Sequence, residues 1–141
     1  MSKKLTLDRL YKTFDLITDW QERYRFIIEL GGKITPLEAS EKTEANRIHG
    51  CMSVVHMVIG ATDDTPPKVV FRADSDASIV NGLIGVLHAV YDDKTPEEIR
   101  DTDIKEIFSK LGLDSHLSPN RRNGFFSMVE RLQSLANVSG N

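Results

Sequence analysis

Thiols are nearly absent from this chain. Among 141 residues the only cysteine is Cys51, so no intrachain disulfide can form and no cysteine-rich metal site can be assembled. Long apolar runs are missing as well. Every strongly apolar stretch is broken by Asp, Asn, His or Gly before the roughly 18 residues that a membrane span needs, so no membrane association is expected. Residues Met1 to Asp8 carry two lysines but meet an aspartate before an apolar region develops, which does not read as a secretory signal. An excess of one charge is lacking too. Eighteen basic against 21 acidic residues give a formal charge of -3, which supplies no broad electrostatic footprint for nucleic acid or anionic lipid. CxxC and HExxH spacings, a phosphate loop with its lysine, and the ligand spacing of a calcium loop are all absent, so no metal or cofactor is assigned to the chain. There is no internal repeat or sustained heptad pattern.

What remains is a composition of 40% hydrophobic and 28% charged residues, ordinary for a folded domain and long enough to bury a core without staples. Residues 1–141 are read as one domain. A reducing cytoplasm is the expected compartment, and it would keep Cys51 a thiol.

Hydrophobic spacing organises the chain. Leu7, Leu10, Tyr11 and Phe14 predict a short amphipathic helix capped by Thr6. Thr18 and Gln21 form an expected capping box for a second helix with Trp20, Tyr24, Ile27 and Ile28 on its apolar face, ended by Gly31-Gly32. Residues 33–45 read as a polar connection. Two β-rich runs, Val54 to Ile59 and Lys68 to Ala73, predict an antiparallel hairpin around Thr65-Pro66-Pro67. Asn46 to His49 is expected to add a short third strand, placing Gly50-Cys51 at a turn. Ala77 to Tyr91, apolar around most of its circumference, predicts the central buried helix, with Gly82 and Gly85 allowing another element to approach closely. Within it, His88 reads as a structural histidine. Thr95-Pro96-Glu97-Glu98 and Asp103 with Glu106 predict two further helix starts, Gly112 a stop, and Ser118-Pro119 the final helix. That helix opens on Arg121 and Arg122, against the preference of its dipole, so the pair is either a solvated turn or a face for an acidic partner. The fold class is α+β, a small antiparallel sheet of about three strands packed against several helices.

Composition alone favours a buried, inert Cys51, because free cysteine behaves as a small hydrophobe. Its neighbours favour a turn instead: Gly50 precedes it and Ser53 follows two positions later. A free thiol has a pKa of about 8.5, so only a few per cent is thiolate at neutral pH without help from its surroundings. His49 and His56 are near in sequence, which keeps open a stand-alone cysteine-dependent acyl-transfer or hydrolytic enzyme, although nothing in the spacing brings either within reach of the sulfur.

The block Asn46-Arg47-Ile48-His49-Gly50-Cys51-Met52-Ser53-Val54-Val55 resembles the acceptor-cysteine segment of the SufE family. Asp74 to Ile84 resembles the family's segment after the hairpin, and Leu117 to Gly124 its entry to the last helix, with Arg121 at the basic position. The likeness runs from Trp20 through Met128. It implies a sulfur acceptor that takes persulfide sulfur from a cysteine desulfurase onto Cys51, stimulates that enzyme, and passes sulfur to an iron-sulfur scaffold or another acceptor. Pyridoxal phosphate would belong to the desulfurase. Gly50, Ser53, Asp74 and Arg121 are the implied partner-contact residues. A degenerate adaptor that docks without accepting sulfur is a further alternative. One departure lies close by: many relatives carry tryptophan after Val55, where this chain has His56.

Overall fold

Thr6 opens the first helix by accepting from the Arg9 N–H, and α1 (Leu7–Leu16) buries Leu10 and Phe14. The computed structural model describes residues 6–50 and 52–139. The turn into α2 (Trp20–Gly31) is fixed from both ends. Asp19 Oδ1 accepts from the Gln21 N–H, and the Arg23 guanidinium donates to the carbonyls of Phe14 and Ile17, which end α1. The cap is therefore Asp19 and not the Thr18–Gln21 box, because the short carboxylate already reaches the second helical N–H. Ile27 and Leu30 form the buried stripe of α2. Ile28, expected on that face, is 46% exposed, since a step of about 100° from Ile27 carries it past the edge.

The connection after α2 contains two single 3-10 turns, Ala39–Glu41 and Glu44–Asn46. Strands β1 (Val55–Ala61) and β2 (Val69–Ser75) then pair antiparallel, in a register running from Val55 opposite Ser75 to Ala61 opposite Val69. The expected third strand does not form among the described residues. Thr43 caps the Glu44–Asn46 turn and takes up that backbone, leaving one bridge from Arg47 to His56 and one hydrogen bond from Ile48 N–H to the Val55 carbonyl. The sheet has two strands.

Helix α3 (Ser78–Tyr91) is the centre of the molecule. Ile79, Val80, Leu83, Ile84, Val86, Leu87 and Val90 are all buried. Its crossing with α2 is as close as backbones allow: a Cβ on Gly82 would lie 2.2 Å from the Ile27 carbonyl oxygen, and one on Gly31 would lie 2.7 Å from the Gly82 nitrogen. Glycine here serves contact between helices and not flexibility. His88 stacks face to face on Phe71, at 4.4 Å between ring centres, with Nδ1 3.8 Å from Asp92.

Short helices close the fold. In α4 (Pro96–Asp101), Thr95 and Glu98 complete the expected capping box, and the bond from the Thr95 N–H holds the Glu98 carboxyl below its ordinary range. Asp103 caps α5 (Ile104–Lys110), and Gly112, at φ 73°, ends it beside the Trp20 ring. A single turn, α6 (Leu113–His116), was not expected from the spacing; its His116 ring stacks on Trp20 at 3.8 Å. Helix α7 (Pro119–Ser139) spans the molecule, burying Phe125, Met128, Val129, Leu132 and Ala136. The architecture is α+β, helices packed on a two-stranded sheet. No helix of the described residues is long and apolar enough to cross a membrane.

Candidate functional site

Cys51 itself lies outside the described residues, so the site is built from what holds its neighbours. Gly50 has φ 90°, a left-handed conformation that a side chain strains, and a Cβ there would stand 2.6 Å from Ser127 Oγ of α7. The φ favours glycine, and a side chain there would also have to turn the Ser127 hydroxyl aside. On the other side, the Met52 N–H donates to Asn120 Oδ1 at 3.0 Å, while its side chain is 86% exposed. Ser53 is half-buried. Val54 is held twice, by its N–H donating to Asp76 Oδ1 at 3.0 Å and by its carbonyl accepting from the Asp76 N–H at 3.3 Å. The Gly50–Val54 stretch is thus bounded by α7 and the end of β2.

Helix α7 also anchors the approach to this stretch. Arg131 Nη2 donates to the Arg47 carbonyl at 3.0 Å and Nη1 to the Ala45 carbonyl at 3.4 Å. At the end of β2, Asn81 accepts from the Ser75 N–H at 2.7 Å and donates to its carbonyl at 2.9 Å, which ties the last residue of the strand to α3.

The two nearby histidines go separate ways. His49 is exposed, with Nε2 2.9 Å from Glu44 Oε1, beside a cleft of about 300 Å³ lined by Ile48, Ser127, Glu130, Arg131 and Ser134. His56 is buried in β1 opposite Asp74 and lines a different cleft of about 470 Å³ with Lys42, Val54, Asp76 and Asn81. No group of three or more His, Cys, Asp or Glu among the described residues has the arrangement of a metal site.

Asp74 is 8% exposed, and its carboxylate is engaged within the chain: Oδ2 accepts from the Leu37 N–H at 2.7 Å and lies 3.6 Å from Lys42 Nζ. It ties the polar connection to β2. One residue earlier in that connection, Glu41 receives the Arg72 guanidinium on both carboxylate oxygens and binds the Glu38 N–H. The bond to Arg72 foremost holds Glu41 below the ordinary carboxylate range. A depressed folded-state value means that this contribution to stability is complete above the unfolded value and disappears as pH falls through the lower, folded one. The urea midpoint of wild type should therefore exceed that of Glu41→Gln at pH 6, and the gap should close on acidification below about pH 4. Parallel acid titrations of the two proteins provide the check, and a constant gap would contradict the assignment.

Of the arginine pair, Arg122 donates to the Asp114 carbonyl at 3.4 Å. Arg121 is exposed, and its guanidinium makes no hydrogen bond to the described residues. Asp76 and Asn120 carry no role assigned from the sequence, yet they accept from the backbone N–H groups of Val54 and Met52 after Cys51, and Ser127 lies close to Gly50 before it. Their only signal was the place of Asp76 and Asn120 inside the family-like blocks.

Comparison with known proteins agrees over nearly the whole chain. The family model described as SufE, Fe-S metabolism associated domain, matches residues 8–136. An uncharacterized SufE-like protein of Rhizobium meliloti is 39% identical over 132 residues, covering 93% of this chain and 94% of its own. Another, from Rhizobium etli, is 41% identical over 134 residues, covering 94% and 90%. The solution structure of a hypothetical protein from Thermus thermophilus superposes with a TM-score of 0.74 at 19% identity, covering 94% of each chain, which shows the shared fold.

Proposed function

The chain belongs to the SufE family, whose members are sulfur-transfer partners of cysteine desulfurases in iron-sulfur assembly and not independent enzymes, and from that premise we propose that Cys51 is its sulfur acceptor. The observation that carries the reading is the family match across residues 8–136, within which Cys51 is the only thiol. Residues 1–141 act as one such domain in the cytoplasm, and the partner desulfurase brings the pyridoxal phosphate.

The reaction is an exchange at sulfur. Cys51 thiolate attacks the outer sulfur of the desulfurase persulfide; the bond between its two sulfurs breaks, and its electron pair leaves on the desulfurase cysteine as thiolate. The outer sulfur ends on Cys51 as a new persulfide, with no net oxidation. Emptying the desulfurase cysteine frees it for another turnover, which is how an acceptor stimulates its donor. The persulfide then passes to an iron-sulfur scaffold or another sulfur acceptor.

Docking falls to the surface around Gly50 and Ser53. Exposed Met52 and Val54 offer apolar contact beside the thiol position, and Arg121 offers charge in the first turn of α7. Asp74 supports this surface through the connecting segment it ties to β2. Charge at the edge of an interface acts on encounter and orientation. Arg121→Glu is accordingly expected to raise the half-saturating concentration for desulfurase stimulation on the order of tenfold, with the plateau retained and the effect shrinking at high salt. A titration identical to wild type would remove Arg121 from the interface.

Incubation with cysteine and a desulfurase, followed by intact-protein mass analysis, tests the central assignment. A sulfur-sized adduct should appear on wild type and be absent from Cys51→Ser; turnover of a small acyl substrate without desulfurase would instead support a thiol enzyme.

A further inference from the structure

His56 is only 9% exposed, and its ring makes no hydrogen bond to any described residue. No fully buried side-chain polar atom among the described residues lacks a partner, so the ring nitrogens reach open space. The space they border is the cleft of about 470 Å³ at the end of the hairpin. Strand geometry puts the ring there. His56 stands opposite Asp74, and the hydrogen-bonded pair of Val54 and Asp76 continues the ladder one step, so all four side chains belong to one face of the sheet. Lys42, Asn81 and the Gly31-Gly32 end of α2 complete the walls. An imidazole keeps two nitrogens for hydrogen bonding, and leaving that capacity unused in a mostly buried place is unfavourable unless something in the cleft meets it.

Charge in the cleft is of both signs. Lys42 Nζ lies 3.6 Å from Asp74 Oδ2, a single contact that leaves its other hydrogens for a second anionic group. Asp76 uses Oδ1 for the Val54 N–H and the Ser75 hydroxyl, while its Oδ2 forms no bond to the described residues. The negative end of the α2 dipole adds to the acidic side. A simple anion here would face two carboxylates, and a simple cation would face Lys42. A molecule with both charges close together satisfies each side, and Ile34, Pro36 and Val54 offer it an uncharged, apolar wall. We propose that this cleft binds an α-amino acid with a small uncharged side chain, as its zwitterion. Lys42 and the His56 ring N–H take the carboxylate, and Asp76 with the C-terminal end of α2 takes the ammonium. The volume is that of an ordinary small-ligand cleft. The site does not depend on sulfur acceptance at Cys51.

The full-length protein is titrated near neutral pH and at constant ionic strength with three probes, while the His56 ring signals are followed by NMR. The probes are L-alanine, propionate, which lacks the ammonium, and ethylammonium, which lacks the carboxylate. L-alanine should shift those signals saturably, with half-saturation on the order of 1 mM. Each truncated probe should need at least about tenfold more, because a charge-assisted hydrogen bond is lost with the missing group. Lys42→Met should weaken L-alanine about tenfold without weakening ethylammonium, a split that general loosening of the fold would not produce. No saturable shift of His56 with L-alanine, propionate or ethylammonium binding as tightly as L-alanine, or an unaltered L-alanine titration in Lys42→Met would each overturn the proposal. These titrations contain no desulfurase, so the sulfur-acceptor reading is decided separately by the intact-mass experiment.

Discussion

Cys51→Ser is expected to abolish sulfur acceptance completely while leaving the protein folded and able to bind its desulfurase. The reason is both chemical and numerical. A serine hydroxyl is not appreciably ionised at neutral pH and forms no persulfide, and no second cysteine exists in the chain to substitute for the lost thiol. The replacement changes one side-chain atom, so Gly50, Ser53 and Arg121, which we propose for docking, are left as they were. Desulfurase turnover should fall to the rate seen without acceptor, although a pull-down or titration still detects the complex. Stimulation that survives in Cys51→Ser would mark the chain as an adaptor acting through contact alone. Loss of binding as well would mean that the thiol is part of the interface.

The largest expected loss of stability comes from Gly82→Ala. Two effects oppose one another. Alanine improves helix propensity by about 1 kcal/mol over glycine. Against this, its Cβ would meet the Ile27 carbonyl oxygen at 2.2 Å and the Ile27 carbonyl carbon at 2.7 Å, and these are backbone atoms that cannot turn aside. Helices α2 and α3 must move apart, loosening Ile27 and Leu30 from the face of α3, which is the overpacking case that costs about 1–3 kcal/mol or more. Sterics win, and a net loss of about 2 kcal/mol corresponds to a fall in melting temperature of roughly 5–10 °C for a domain of this size. Gly85→Ala is the internal control. Its nearest neighbour is the Leu30 Cβ at 3.1 Å, a contact that yields by a small shift, so the two effects should nearly cancel. Thermal and urea unfolding of both variants decide the matter; a Gly82→Ala protein as stable as wild type would refute the close-crossing argument.

Those glycines also show which parts of the fold a sequence makes legible. Spacing within one element is local information, and it located α3, the hairpin, the Thr95–Glu98 capping box, the Asp103 cap and the Gly112 stop. Choices between adjacent residues were harder, because Thr18 and Asp19 are both good caps and only the geometry of the turn selects the aspartate. Four residues from Asn46 to His49 carried too little periodicity to distinguish a strand from a 3-10 turn followed by a single bridge. Around Cys51 the limit is of another kind. Asn120 and Asp76 act on backbone N–H groups 68 and 22 residues away, and a backbone N–H has no letter in the sequence to reveal what it needs. Cys51 could be singled out because it is alone and because its block resembles a family; the residues that hold its surroundings required the fold.

The reliance of that stretch on α7 has a consequence during synthesis. Ala45, Arg47, Gly50 and Met52 all rest on Asn120, Ser127 or Arg131, more than 65 residues later in the chain. On the ribosome, α2, the hairpin and α3 emerge well before α7 does. The segments flanking Cys51 therefore take their seat among the last parts of the molecule, and a nascent or truncated chain without α7 lacks the anchors of Ala45, Arg47 and Met52.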